Sequence, residues 1–141
     1  MILLARLKSF IGTNFGKDAF VITPIVFYLD KKTFVPKLNI QEVESLIEMP
    51  TNNFLLKKYH ESNLITVFDN DYFIHYFYSD DVKKRIFGVT SFTCILVSTI
   101  LHQKTPEMDI DPIYNLTPEN FNQFMENYIF KKSLINFVKK F

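Results

Sequence analysis

The chain has 141 residues, of which 48% are hydrophobic and 22% charged, proportions that predict one folded domain and exclude a disordered chain. Sixteen Lys and Arg residues against fifteen Asp and Glu leave a net charge of +1, which excludes electrostatic capture of nucleic acid as the main function. A single cysteine excludes a disulfide framework and a cysteine-based zinc site, and three glycines are too few for a glycine-rich phosphate loop.

The sequence has neither the pattern of a membrane-spanning segment nor that of a signal peptide. The longest apolar segment, residues 87–101, is interrupted by serine and threonine and is too short to span a membrane. The first ten residues place their basic side chains after the apolar run, whereas a signal peptide has them before it. We therefore expect a soluble intracellular protein, cytoplasmic or peroxisomal, with no membrane partner, although the last residues match no peroxisomal signal.

The first half of the chain has the pattern of strands. Residues 3–8 predict a short strand, and the almost continuously apolar residues 20–29 predict a strand buried on both faces. Pro24 lies inside this strand and lacks an N–H, which predicts an edge position or a bulge there. Residues 43–49 predict a further strand, and residues 54–59 predict a short helix.

The second half predicts a hairpin, a strand and a helix. Residues 64–68 and the aromatic residues 72–78 are separated by a polar turn, which is a hairpin signal. A short strand at residues 85–88 leads into a helix at residues 91–103, for which Thr90 is the predicted N-cap.

The end of the chain predicts a C-terminal helical extension, residues 117–141. Thr117 is its predicted N-cap and Pro118 its first helical residue. The order of strands and interspersed helices indicates an α+β or α/β fold in a single domain, residues 1–141.

Four stretches, in this order and spacing, resemble the Nudix hydrolases, in the branch that includes the peroxisomal coenzyme A diphosphatases. The resemblance covers about residues 4–105. The stretches are FVITPIV (20–26), NIQEVESLIEMP (39–50), YFIHYF (72–77) and RIFGVT (85–90).

The resemblance implies a fold and a reaction. The fold would be a Nudix-like α/β/α sandwich with a mixed sheet and with the helix of residues 91–103 on one face. The reaction would be the attack of water on the diphosphate of coenzyme A or a related nucleotide, with Mg²⁺ or Mn²⁺ as cofactor. Coenzyme A would yield 4′-phosphopantetheine and adenosine 3′,5′-bisphosphate.

The catalytic signature of this family is missing from the chain. The Nudix box, G-x5-E-x7-R-E-U-x-E-E-x-G-U with U a bulky aliphatic residue, needs an Arg-Glu and a Glu-Glu pair. Neither Arg6 nor Arg85 precedes a glutamate, and no Glu-Glu pair exists. We therefore expect an N-terminally incomplete domain that lacks the N-terminal strands and the Nudix helix, binds no metal itself and is inactive alone.

Four residues of these stretches are candidates for contacting a substrate. Glu42 would be an accessory acid lining the diphosphate cleft, or part of a solvated strand face. His75 is a candidate ligand contact, the alternative being a half-buried, hydrogen-bonded histidine. Gly88 and Thr90 could present helix N-terminal amides to a phosphate. Their alternatives are a positive φ at the strand-to-helix corner for Gly88 and simple capping for Thr90.

The remaining chemically active residues have simpler interpretations. His60 and His102 have no partner spacing and are predicted on the surface. Cys94 is predicted to be a buried, inert thiol. Asp109 and Asp111 form a D-x-D pair, which favours a turn over a metal site.

Two other functions remain open. The chain could be a non-catalytic Nudix-like module that binds a nucleotide or coenzyme A, or that serves protein interaction as a homodimer. It could also be an unrelated α+β binding domain in which the order of the motifs is a coincidence.

Overall fold

The computed structural model describes residues 1–13, 19–67, 69–79, 82–112, 116–120 and 123. These residues form seven strands, two short 3₁₀ helices at Thr51–Leu55 and Lys57–Tyr59, and one α-helix, α1, at Val89–His102. The strands are β1 (Ile2–Arg6), β2 (Phe10–Thr13), β3 (Ala19–Ile22), β4 (Ile25–Tyr28), β5 (His60–Val67), β6 (Asn70–Ser79) and β7 (Val82–Phe87). The mixture of strands and helix confirms the α+β class.

The first four strands form an interrupted antiparallel ribbon. β1 pairs with β4, and β2 pairs with β3, as two separate two-stranded sheets. The break falls at Pro24, whose carbonyl still accepts the Leu7 amide at 2.9 Å, and at Thr23, whose hydroxyl shares a 2.6 Å hydrogen bond with Ser9. The ladder is interrupted at Pro24 because a residue without an N–H cannot continue it. The predicted burial of residues 20–29 on both faces is wrong, since Val21, Ile25 and Phe27 are exposed in two-stranded sheets.

The second sheet has the order β5-β6-β7, with both pairs antiparallel. The β5–β6 hairpin runs without a register shift from the pair His60–Phe77 to the pair Val67–Asn70. Asp69 has a positive φ of 59° in the connecting turn, a conformation that Asp tolerates better than most residues. The predicted hairpin and the predicted strand before the helix are both confirmed.

Gly88 forms the corner between β7 and α1. It has a φ of 64° and a ψ of −136° and stands at the N-cap of the helix. The sequence prediction of a positive φ here is confirmed, whereas the predicted N-cap, Thr90, lies inside the first turn of α1. The N-cap prediction is wrong because the helix begins at Val89, two residues earlier than predicted.

A single apolar cluster joins the ribbon, the 3₁₀ helix and α1. α1 packs against the 3₁₀ helix Thr51–Leu55 and contacts β6 and β7. Phe54 and Phe77 meet edge to face with 4.9 Å between ring centroids. The buried members of the cluster are Leu4, Ala5, Leu7, Phe54, Phe77, Ile95, Leu96, Ile100 and Ile110.

The predicted single mixed sheet is wrong for the described residues. Residues 20–28 pair only with the N-terminal strands, and β6 pairs with β5 and β7, so the segments lie in separate antiparallel sheets. Residues 43–49 form no strand. The Asn39 carbonyl accepts the amides of Glu42 and Val43 in a turn, and no described strand pairs with the residues after this turn.

The described part of the chain contains no helix long and apolar enough to cross a membrane. Most of the predicted extension, residues 117–141, lies outside the described residues. At its start, the Thr117 hydroxyl accepts the Asn120 amide at 3.4 Å, and the Asn120 side chain accepts the Thr117 amide at 2.8 Å. This reciprocal pair is the pattern of an N-terminal capping box, with Asn in the place of Glu or Gln.

Candidate functional site

Two histidines on the β5–β6 hairpin form a hydrogen-bonded pair. His60 opens β5 opposite Phe77, and His75 lies two residues away on β6, so the two rings share one face of the sheet. His60 Nε2 and His75 Nδ1 are 2.8 Å apart. His75 Nε2 lies 3.0 Å from the carbonyl oxygen of Ile110. The His75 side chain is buried, with only 1% of the residue exposed.

This chain of contacts fixes the position of every proton in the neutral pair. The Ile110 carbonyl can only accept, so His75 Nε2 must carry the hydrogen and donate it. A neutral His75 then has a bare Nδ1, which accepts a hydrogen bond from His60 Nε2–H. Consequently His60 Nδ1 is bare as well and can accept a further hydrogen bond.

Burial keeps both rings neutral at physiological pH. Burial lowers the pKa of His60 to about 4, helped by the neighbouring His75 and opposed by Glu61. Burial also lowers the pKa of His75, opposed by its hydrogen bond to Ile110 and by Asp111. Two adjacent rings in a partly apolar site cannot both carry a charge without a large cost.

The backbone of His75 is fixed from the helix side. Its carbonyl accepts the Gly88 amide at 3.2 Å and the Ser91 hydroxyl at 2.8 Å. The same hydroxyl lies 2.7 Å from the Gly88 carbonyl. The His75 ring stacks on Phe92 of α1, with centroids 6.3 Å apart. The strand-to-helix corner therefore positions the buried histidine.

A cleft of about 350 Å³ opens beside His60. One wall is the hairpin and the other is the segment after α1. That segment is held by the Glu107 amide, which donates to Leu55 at 2.8 Å, and by the Glu107 carboxylate, which accepts the Lys57 amide at 3.0 Å. The lining residues are Lys57, His60, Glu61, Ser62, Phe73, Glu107, Met108 and Asp109.

The structure brings together only part of the predicted substrate-contact set. His75 and Gly88 are joined by a backbone hydrogen bond, and Thr90 lies exposed two residues beyond Gly88. Glu42 is exposed in the turn that begins at Asn39 and is not part of the cleft lining. The substrate roles of all four residues stay predictions, and the ring nitrogens of His75 are both used internally.

The strand face that is the alternative for Glu42 does not form, since residues 43–49 are not a strand. Glu44 instead pairs with Lys84 of β7 at 2.6 Å, and that bond lowers the pKa of the Glu44 carboxyl. Glu48 pairs with Lys31 at 2.7 Å. Both pairs are solvent-exposed, and they stabilise the loop of residues 29–50 against its neighbours only weakly.

The predicted surface position of His60 is wrong, because its ring is half-buried against His75 and Phe77. His102 lies partly exposed at the end of α1 and shares a solvent-exposed 2.9 Å hydrogen bond with Thr51, in keeping with its predicted surface position. Cys94 is partly buried, and burial raises the pKa of its thiol to about 11, which confirms an inert thiol. Within the described ranges, no three His, Cys, Asp or Glu side chains are grouped to hold a metal.

The histidine pair depends on the exact register of the hairpin. The turn predicted at residues 69–71 would place residue 60 opposite residue 80, whereas the observed pair Val67–Asn70 places it opposite residue 77. Residues 60 and 75 are then diagonal neighbours on one face, within reach of two imidazole rings. Linear spacing alone does not reveal this pair.

Comparison with known proteins gives three curated relatives. The peroxisomal coenzyme A diphosphatase NUDT7 of Mus musculus is 32% identical over 123 residues, 84% of this chain and 51% of that protein. Nudix hydrolase 22, chloroplastic, of Arabidopsis thaliana is 29% identical over 94% of this chain and 45% of its own length. The peroxisomal coenzyme A diphosphatase ndx-8 of Caenorhabditis elegans is 36% identical over 64% of this chain and 36% of its own length.

These relatives confirm the resemblance to Nudix hydrolases, including the coenzyme A diphosphatase branch, that the four stretches indicate. No protein-family model matches the chain. The chain spans about half the length, or less, of the curated relatives it matches.

Proposed function

We propose that this chain corresponds to the part of a Nudix hydrolase that follows the Nudix box, and that the whole protein splits the diphosphate of coenzyme A or a related nucleotide. The observation that carries the proposal is the 32% identity to the mouse coenzyme A diphosphatase over 84% of the chain. The domain would then be the Nudix α/β/α sandwich, with its first strands and its catalytic helix contributed by sequence outside these 141 residues.

On this proposal the 141 residues alone hydrolyse nothing. The family reaction uses a divalent cation that neutralises the diphosphate and activates water. The described residues do not fit such an ion, since no three potential ligand side chains are grouped, and the sequence contains no Arg-Glu or Glu-Glu pair. The chain would supply walls of the substrate cleft and the sheet that carries them.

The decisive experiment compares the chain with its upstream reading frame. The transcript is sequenced upstream of the Met1 codon, and the 141-residue chain and any longer product are assayed with coenzyme A and Mg²⁺ or Mn²⁺. We expect an in-frame Nudix box and turnover by the longer product only. Metal-dependent turnover by the 141 residues, lost on Glu42→Gln, would contradict the proposal.

The cleft beside His60 favours a second candidate function, a binding module without catalysis. Its lining residues all belong to the described part of this chain. Native mass spectrometry of the endogenous protein separates the two candidates, because a stable product of 16.7 kDa without an upstream box favours the binding module. Cytoplasmic or peroxisomal residence stays a prediction under either function.

A further inference from the structure

The cleft and the histidine pair together define a site that goes beyond the diphosphatase activity. His60 lines the cleft, and its Nε2 is occupied by the buried His75. The nitrogen that remains for a ligand is Nδ1, which is a bare acceptor while the pair is neutral. We propose that His60 Nδ1 accepts a hydrogen bond from an N–H donor bound in the cleft, and that uptake of one further proton by the His60–His75 pair abolishes this binding.

The proton arithmetic follows from the two hydrogen bonds. The neutral pair holds two ring protons, one between His60 and His75 and one between His75 and Ile110. A third proton, taken from solvent, has only His60 Nδ1 as its place, because the other positions are filled. It resides there whether the charge is drawn on His60 or on His75. A fourth proton would need a separate hydrogen at both nitrogens across the 2.8 Å contact and would break it.

Uptake of that proton reverses the chemistry of the cleft wall. Nδ1 changes from an acceptor into a donor, and the pair gains a positive charge. An N–H donor then loses its partner, and a cationic donor is also repelled. His75 never touches the ligand in this scheme. It is a positioning residue that holds the His60 tautomer, and Ile110 O in turn holds the tautomer of His75.

The charged groups that face the pair decide which N–H donor suits the site. Lys57, Glu107 and Asp109 line the cleft with His60, and Asp111 of the segment after α1 acts on His75. Glu61 also borders the cleft, but its carboxylate accepts the Tyr78 hydroxyl at 2.8 Å. A cationic donor such as an ammonium group is therefore better matched than an anion. From β5 and the 3₁₀ helix these groups are Glu61 and Lys57, and from the segment after α1 they are Glu107, Asp109 and Asp111.

Nuclear magnetic resonance of the ¹⁵N-labelled chain tests the tautomers directly. The chain has only three histidines, so the imidazole signals are assigned with a His102→Gln variant. Above pH 7 we expect His60 and His75 both as Nε2–H tautomers. On acidification the pair should take up one proton, which appears at His60 Nδ1. A His60 ring with Nδ1–H above pH 7, or uptake of two protons by the folded chain, would overturn the proposal.

Binding is tested with two small probes, methylammonium and acetate. Above pH 7 methylammonium should shift the His60 Nδ1 resonance, and acetate should not. Below the pH at which the pair is protonated, the methylammonium affinity should fall at least tenfold. A preference for acetate above pH 7, equal methylammonium affinity at both values, or no shift by methylammonium would each contradict the site.

The relay itself is tested by His75→Gln. Glutamine keeps both an N–H donor and an amide oxygen acceptor and serves as the conservative variant, whereas His75→Leu places no acceptor opposite His60 Nε2. In His75→Leu we expect His60 to populate both tautomers, its titration midpoint to rise and methylammonium binding to weaken severalfold, and in His75→Gln we expect smaller changes. The matched His102→Leu change should move none of these. An unchanged His60 tautomer in folded His75→Leu would contradict the positioning role, and the wild-type titration decides the proposal if that variant does not fold.

Discussion

Burial of the His60 ring ties the stability of the fold to pH. Its pKa is about 4 in the folded chain, against about 6.5 in an unfolded one. Between these values the unfolded state binds more protons than the folded state does. The free energy of unfolding therefore falls as the pH is lowered from about 6.5 to about 4.

We expect the free energy of unfolding to drop by about 1–2 kcal/mol across this window, after allowing for solvent screening of a half-exposed ring. Urea denaturation at a series of pH values measures the drop. In His60→Phe the fall in unfolding free energy that is due to His60 should disappear, and in His102→Phe it should persist. A wild-type profile that is flat from pH 6.5 to 4 would contradict the buried neutral pair.

Gly88 has a backbone conformation that only glycine adopts readily. An added Cβ would meet no atom within 4 Å, so space is not the constraint, whereas a φ of 64° with a ψ of −136° is. We expect Gly88→Ala to cost about 1–3 kcal/mol of unfolding free energy from backbone strain alone. Thermal or urea denaturation checks this. The neighbouring exposed Val89→Ala should stay within about 0.5 kcal/mol of wild type.

Gly88, His60 and Thr90 show which properties of single residues can be predicted from the sequence and which cannot. The positive φ of Gly88 was predictable, because a lone glycine at a strand-to-helix corner has few other reasons to be there. The partner of His60 was not found, because it depends on hairpin register and not on spacing along the chain. The capping prediction for Thr90 failed because helix boundaries predicted from sequence are uncertain by about two residues, and a shift of two residues moves the cap into the helix.

At the scale of elements, α1 depends on one serine hydroxyl more than on its neighbours. Ser91 is fully buried and bonds the carbonyls of His75 and Gly88. Ser98 is equally buried on the same helix, but its hydroxyl has no hydrogen-bond partner among the described residues. The two serines therefore form a natural contrast between a satisfied and an unsatisfied buried hydroxyl.

We expect Ser91→Ala to lower the free energy of unfolding by about 1–2 kcal/mol, because the tether between the helix start and β6 is lost. Ser98→Ala should be neutral or slightly stabilising, since no bond is removed and a desolvated hydroxyl is relieved. Urea denaturation of the two variants side by side is the measurement. Equal losses in both would show that the Ser91 hydrogen bonds contribute nothing.

The elements that were predicted correctly carry their own signal. The hairpin has a polar turn between two β-branched and aromatic runs, and α1 has apolar residues at helical spacing. Residues 43–49 were predicted to be a strand, but a segment becomes a strand only where a neighbouring edge accepts its hydrogen bonds. That requirement is tertiary, and a single sequence does not express it.

At the scale of the whole molecule, the N-terminal ribbon leaves large apolar side chains in contact with water. Leu3 and Phe27 face each other across β1 and β4 and are 60% and 44% exposed. Ile2 and Tyr28, the next pair, are also exposed. With a net charge of only +1, electrostatic repulsion between molecules is weak.

We expect the purified chain to self-associate through the exposed apolar side chains of the ribbon. The double variant Leu3→Lys/Phe27→Glu should self-associate less, because it replaces an apolar cross-strand pair with a charged one. Light scattering and sedimentation across a concentration series measure the effect. The control is Val35→Lys/Ile40→Glu, which alters two apolar side chains that are 85% and 86% exposed outside the ribbon. A wild-type chain that stays monomeric at high concentration would contradict this expectation.

His75 links its own strand, β6, to three other parts of the chain. Its ring bonds His60 of β5 and Ile110 of the segment after the helix, and its carbonyl accepts Gly88 and Ser91 at the helix start. None of these bonds can open alone without stranding a buried polar group. The Gly88 amide, which donates to the His75 carbonyl, should therefore exchange its hydrogen for deuterium only when these contacts open together, at a rate slower than those of the ribbon and of the loop of residues 29–50.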